Sequence, residues 1–352
     1  MKIGKSLTGL AAEIERQAAA KRDIVATTNA MHMAGGNTIS VNGHGDFGVT
    51  DHTHRQIQSR LKIDARYYDR MRAEDPELLD YNVNRWFDRK PERRMLRTMT
   101  LEKPVARAFL SNRYRRLDNV DLALALLPEL AEVRDLQLIS CDITDVKLYL
   151  KFTTPRVQGE VKKGDIVQAG AIISNSEIGQ GSVNAFPFLN RLACLNGMVV
   201  EEFGQRKYHT GRASEGEEEA YEVFADETLK ADDRAFWLKV RDTVRAVLQQ
   251  VMFDKLLDRM RESSEQKIDG DVPQVVEVLS NKFALNEAEK GSVLRHLIGD
   301  GIGLNAWGLM NAVTSVAGEV ESYDRATELE TVGGRILSLA PGDWKEIATA
   351  KA

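Results

Sequence analysis

The chain has 352 residues, of which 43% are apolar and 29% charged, and a formal net charge of −5. That length exceeds one average domain and implies two or three packed units. It holds no uninterrupted apolar run of membrane length, and its negative balance argues against a generic nucleic-acid coat.

From the N-terminus, residues 5–22 predict an amphipathic helix with Leu7, Leu10, Ala11 and Ile14 on one face. The acids in this stretch argue against a secretory signal. Residues 33–56 are glycine-rich with short β-like runs, and three short helices are expected between residues 57 and 90. Asp75 caps the last of them, with Pro76 at its first position. "RRMLRTMT" and "VARAFLSNRY" predict strands, and "DNVDLALALLPELAEV" a helix opened by Asp118 or Asn119, with Pro128 as a kink. "LQLISCDI", "DVKLYLKFTT" and "IVQAGAIIS" alternate or run apolar in β fashion. A turn containing Gly179 and Gly181 follows, and then a helix is expected near residues 185–195, with Pro187 early in it.

Beyond about residue 204 the composition shifts to an acidic segment and then to helices. In "DDRAFWLKVRDTVRAVLQQVMFDKLLDRM", Trp237, Val240, Val244, Val247 and Val251 recur three and four apart. That stripe needs a partner, either in this chain or in a second copy. Asn286 and Glu289 form a capping box for a later helix. The expected fold class is α+β, a small antiparallel sheet packed with helices and followed by a helical C-terminal unit. The expected divisions are residues 1–50 (N-terminal helix and glycine-rich β segment), 51–204 (α+β core with a basic cluster), 205–232 (acidic linker) and 233–352 (helical unit).

Cys141 falls in a β-like run and Cys194 in a helix-like run, which reads as two buried thiols in a reducing cytoplasm. Between His54 and Arg116 there are 17 Lys or Arg against 9 Asp or Glu, whereas residues 201–233 carry 4 against 11. One part of the surface is thus suited to face phosphate while another repels it. Arg85, Arg89, Lys90, Arg93, Arg94, Arg97, Arg107, Arg113, Arg115 and Arg116 lie close in sequence, interleaved with Trp86, Phe87, Phe109 and Tyr114. Guanidinium groups fork onto phosphate oxygens and aromatic faces stack on bases, so single-stranded nucleic acid suits this mixture. A solvated charged surface with aromatics turned inward is the competing reading.

The turn "SNSEIGQGS" lacks the Gly-Lys-Ser/Thr ending of a P-loop and the third glycine of a dinucleotide fingerprint. No nucleotide cofactor is expected, although its backbone N–H groups suit a polynucleotide phosphate. Asp145-Val146-Lys147, with Asp121 upstream, and Glu160-Val161-Lys162 fit a short metal-dependent nuclease pattern that chance readily produces. His52-x-His54, with His44 nearby, lacks further ligands at metal spacing, and His209 and His296 are isolated. No metal is expected.

Several phrases occur together: "GDFGVTDHTHRQIQSRLKI", "NVNRWF", "ARAFLSNRYRRLDN", "NSEIGQGSVNAFPFLNRLACLNGMV" and "WGLMNAVTSVA". Over roughly residues 35–335 they resemble a phage/plasmid-like protein family of unknown function, a resemblance that implies no activity. The order β–β–β–glycine turn–α from Leu136 to Asn196 is similar in layout to the core of single-strand annealing proteins of the RecT, Redβ and Erf types. That likeness implies a groove that holds one strand's backbone, lined up in rings or filaments.

The expected function is therefore single-stranded DNA binding and annealing in phage or plasmid recombination, by a non-catalytic homo-oligomer in the bacterial host cytoplasm, without contact to a membrane. The early arginines, with Tyr114, Lys147, Lys151 and Arg191, would line the groove. Lys147 and Lys151, four apart on a strand, face one side. Ser174, Asn175, Ser176, Gly179 and Gly181 would shape it. The rivals are a Mg²⁺-dependent nuclease using Asp145 and Lys147, and a protein-interaction module acting on a host factor through the Trp237–Val251 stripe and the acidic segment.

Overall fold

The computed structural model describes residues 2, 4–194, 196–208 and 226–351. His209 and most of the acidic segment lie outside these residues. The protein is α+β, built on two β-sheets.

A first helix, α1 (Leu7–Ala20), is capped by Ser6, whose side chain accepts from Gly9 N. It leads into β1 (Lys21–Thr27), β2 (Met31–Ala34), β3 (Thr38–Val41) and β4 (Gly45–Val49). Three helices follow, α2 (Asp51–Leu61), α3 (Ala65–Glu74) and α4 (Pro76–Arg89), then β5 (Arg93–Thr100) and β6 (Pro104–Ser111). Asp75 accepts from Leu78 N at the start of α4, ahead of Pro76, as its sequence predicts. Sheet A runs β1-β5-β6-β4-β3-β2, antiparallel except where β4 meets β6. Its inward residues, among them Ile39, Phe47 and Leu96, pack against Ile57, Leu79 and Val83 of the helices. The division expected at residue 50 thus falls inside one sheet, because strands from both sides of it pair.

The edge strand β2 is closed by α4. Asn84 Oδ1 accepts from Met33 N at 2.7 Å, and its Nδ2 donates to Met33 O at 2.9 Å. One side chain replaces the missing neighbour of that edge.

Helix α5 (Asn119–Ala131) opens with a reciprocal capping box between Asp118 and Asp121, and Pro128 lies within it. Then come β7 (Gln137–Ile143), β8 (Leu148–Glu160), β9 (Ile166–Asn175), β10 (Ser182–Arg191), β11 (Asn196–Val199) and β12 (Gln205–Tyr208). Sheet B is antiparallel in the order β11-β10-β9-β8-β7, with β12 also on β10. The helix expected near 185–195 is therefore the strand β10, and the β–β–β–turn–helix layout does not form. Both faces of β10 are buried, so its central run Ala185–Leu189 is apolar and lacks the alternation that marks a half-exposed strand. Pro187 fits because β12 pairs with residues 182–185 and β11 with residues 188–191, which leaves it in the gap between the two partners.

The C-terminal helices are α6 (Asp226–Val247), α7 (Gln250–Glu265), α8 (Val272–Phe283), α9 (Glu287–Gly299), α10 (Ala306–Val316), α11 (Tyr323–Leu337) and α12 (Pro341–Ala348). Asn286 and Glu289 form the expected capping box on α9. Leu148, Leu150 and Phe152 of β8 face α1, α5 and α6, while Tyr149 and Lys151, one residue out of phase, face α11. Gly334 lets α11 lie against β11, since a Cβ there would stand 1.8 Å from Val199 O. The stripe Val240, Val244 and Val247 buries against α5 and sheet B of its own chain, and Val251, on the next helix, is 70% exposed. Cys141 is buried, but Cys194 is exposed in the turn after β10, against the expectation of two buried thiols. No helix among the described residues is long and apolar enough to cross a membrane.

Candidate nucleic-acid interface

The glycine turn that follows β9 is held by the other sheet. Asn175 Nδ2 donates to Leu117 O at 2.8 Å and to Asn119 Oδ1 at 2.9 Å. Glu177 Oε1 accepts from Lys21 Nζ and from Asn119 N, both at 2.8 Å, and Glu177 O accepts from Arg97 Nη1 at 2.8 Å. Ile178 O accepts from His52 Nε2 and Gln56 Nε2, each at 2.8 Å. Burial holds His52 below the usual imidazole range, which keeps the ring neutral, with Nε2 as the donor. Gly179 has φ +79°, and a Cβ there would meet Leu110 at 2.6 Å. Ser174, Asn175 and Ser176 are buried, so only the tip from Gly179 to Gly181 reaches solvent. The turn is a latch between the sheets, and Gln180 N is already taken by Ser176 Oγ at 3.1 Å.

Behind the latch lies a charge network. Arg97, 4% exposed, pairs with Asp23 at 2.8 Å and Asp118 at 2.9 Å. Lys21 bridges Asp118 and Glu177, Arg107 approaches Glu177 at 3.5 Å, and Arg116 pairs with Asp23 at 2.9 Å. Burial pulls Arg97 down, and Asp118 and Asp23 outweigh it, so the guanidinium stays charged.

These contacts sort the expected groove residues. Arg97 and Arg107 are structural, and Arg116 is tied to the same network. Arg115 pairs with Asp232 and Asp233. Tyr114 is buried, its hydroxyl donating to Ser176 O at 3.2 Å. Lys147 and Lys151 do share a face, but α11 covers it, and Lys151 Nζ lies 2.6 Å from Glu330. Arg191 sits on a strand and donates to Asp165 Oδ1 at 2.5 Å. Lys151 and Arg191 are therefore removed from any groove, because both are buried in ion pairs. Lys147 is half-buried beside Gly181. Arg85, Arg89, Lys90 and Arg93 are exposed and Arg113 is half-buried; none of the five carries an ion pair among the described residues.

A cleft of about 660 Å³ lies between α2, the end of β6 and the turn tip. Arg55, Arg60, Lys62 and Arg94 stand on its walls. An adjoining cavity of about 420 Å³ shares Arg60, Lys62 and Phe109 with it and extends to Trp86 and Lys90. The two form one basic trench. Its carboxylate, Glu92, is occupied by Arg60 and by Arg94 at 2.5 Å. Arg55, Arg60 and Lys62 were not among the expected site residues. Arg55 and Ser59, four apart, share one helical face, but Lys62 joins them only through the left-handed turn that ends α2, which the spacing does not foretell.

The alternative chemistries do not assemble. Asp121 is engaged in the α5 cap and Asp145 is exposed in the turn between β7 and β8. Glu160 ends β8, its carbonyl accepting from Arg261. His54 is buried on Tyr68, His44 is exposed, and His296 contacts Asp300 and Glu319. Among the described residues no three His, Cys, Asp or Glu side chains converge in a metal-holding group. Set against protein-family models, curated proteins and solved structures, the chain matches none.

Proposed function

We propose that the chain binds single-stranded DNA along the basic trench and, as a homo-oligomer in the cytoplasm of a bacterial host, brings complementary strands together without bond-breaking chemistry. The observation that carries this is a set of cations that make no ion pair among the described residues, Arg55 on α2, Lys62 just after it and Lys90 just after α4, lining two adjoining cavities. Such cations neutralise backbone phosphates without reading sequence. The resemblance to phage- and plasmid-borne proteins supports the setting; the annealing-core layout no longer does, since β10 is a strand.

The test is anisotropy of a labelled 20-mer across a salt series. If about five phosphates are neutralised, log K falls against log salt with a slope of roughly −3.5. The double variant R55A/K62A should bind more weakly to all sequences alike and lower the slope by about 1.4, since each phosphate contact contributes roughly 0.7. A flat salt response, or an unchanged variant, overturns the reading. Annealing is read separately, from the pairing rate of two complementary labelled strands with and without protein.

A further inference from the structure

The geometry points to Trp86 as a stacking platform for one unpaired nucleobase, held in the cavity between the C-terminal ends of α2 and α4. This deepens the trench reading and rests on it.

Four Phe, Tyr or Trp side chains line the trench, and three are already committed. Phe109 is stacked on Phe87, with ring centroids 5.7 Å apart and planes 14° from parallel, and Arg94 Cζ stands 5.7 Å from its centroid. Tyr114 is buried and its hydroxyl is spent on Ser176 O. Trp86 is different. It is 39% exposed, although a large aromatic on a helix packed against a core normally turns inward. Arg89 Cζ lies 5.6 Å from its ring centroid, yet the indole lines the cavity and Arg89 does not.

That cavity, about 420 Å³, falls within the size of ordinary small-ligand sites, about 300–1,000 Å³. Leu61, Phe87 and Phe109 supply apolar wall, Lys62 and Lys90 stand at its border, and the Glu92 carboxylate that also lines it is neutralised by Arg60 and Arg94. A nucleotide placed here sets its base on the indole and its phosphate between Lys62 and Lys90. Stacking needs only a π-face, so any base serves, but the base must be out of a duplex to enter. The cavity thereby supplies what phosphate contacts alone do not, a preference for single strands over double.

The experiment compares a labelled 20-mer bearing bases with an abasic 20-mer of equal charge, against wild type, W86A, W86F and R55A/K62A. Expected are an about tenfold loss for W86A on the base-bearing strand and a change within about threefold for W86F. On the abasic strand, wild type and W86A should bind equally. Wild-type tryptophan emission should be quenched by the base-bearing strand, and W86F should lose that quenching. If W86A binds the base-bearing strand like wild type while R55A/K62A is weakened, the stacking inference fails and the trench stands. If neither variant changes binding, both fail. If W86A weakens the base-bearing and abasic strands alike, Trp86 is a structural residue and the inference fails. Should W86A melt early, the W86F quenching decides.

Discussion

Lys151 Nζ and Glu330 Oε2 lie 2.6 Å apart with both side chains at 0% exposure. The ammonium also sits 4.7 Å from the Tyr323 ring centroid. Desolvating both charges costs several kcal/mol, offset only while the two remain together. Replacing Lys151 by Ala strands a carboxylate in the core and should destabilise the fold by about 3–5 kcal/mol in urea unfolding. The double variant K151M/E330L should recover most of that loss. A single variant as stable as wild type would show that the pair does not hold α11 on sheet B.

Arg97 and Asp118 predict an acid limit. Burial pushes the Asp118 carboxyl up, but Arg97 and Lys21 outweigh it, so the group sits below the usual carboxylate range. An acid with a depressed folded pKa contributes stability that is present above its unfolded pKa, about 3.9, and is lost as pH falls through the folded value. Stability should therefore drop below about pH 4, and D118N should flatten that drop while lowering stability at pH 7. R97A should act in the same way, as a stability variant. Urea midpoints across a pH series check both.

His54 predicts a second, separate pH window. Its ring is buried, Nδ1 lies 3.0 Å from the Tyr68 hydroxyl, and burial lowers its pKa to about 4. The unfolded chain takes up this proton near pH 6.5, before the folded state does. Stability should thus decline from about pH 6.5 towards pH 4, by up to about 1.4 kcal/mol per pH unit. H54Q should abolish this component. A wild-type slope unchanged by H54Q would place the titrating group elsewhere.

Gly179 tests the latch. Its φ of +79° disfavours any side chain, and an added Cβ collides with Leu110. G179A should cost about 1–3 kcal/mol and shift the melting temperature down. Because the turn tip also borders the cleft, DNA binding should weaken with it. A variant with unchanged melting would mean that the turn relaxes without loosening the two sheets.

Much of this architecture is legible in the chain. The meander after Met31, the α4 cap at Asp75 and the strands from Gln137 to Asn175 follow from alternation, turn residues and caps. Strand β10 does not, because a segment buried on both faces carries no period that separates strand from helix. The charges fail for a different reason. The count between His54 and Arg116 is correct, but which cations stay open to solvent is decided by acids far away in sequence. Asp23 and Glu177 claim Arg97, Arg107 and Arg116, and Glu330 claims Lys151 across 179 positions. Local reading finds the supply of positive charge; only folding assigns it.

Asn84 has a consequence for assembly. By occupying both backbone groups of Met33 it fills the slot that an incoming strand would use on that rim of sheet A. A neighbouring copy cannot zip onto β2 without first evicting this amide. On that rim, backbone pairing is closed off from within the chain itself, by one amide rather than by a neighbouring strand.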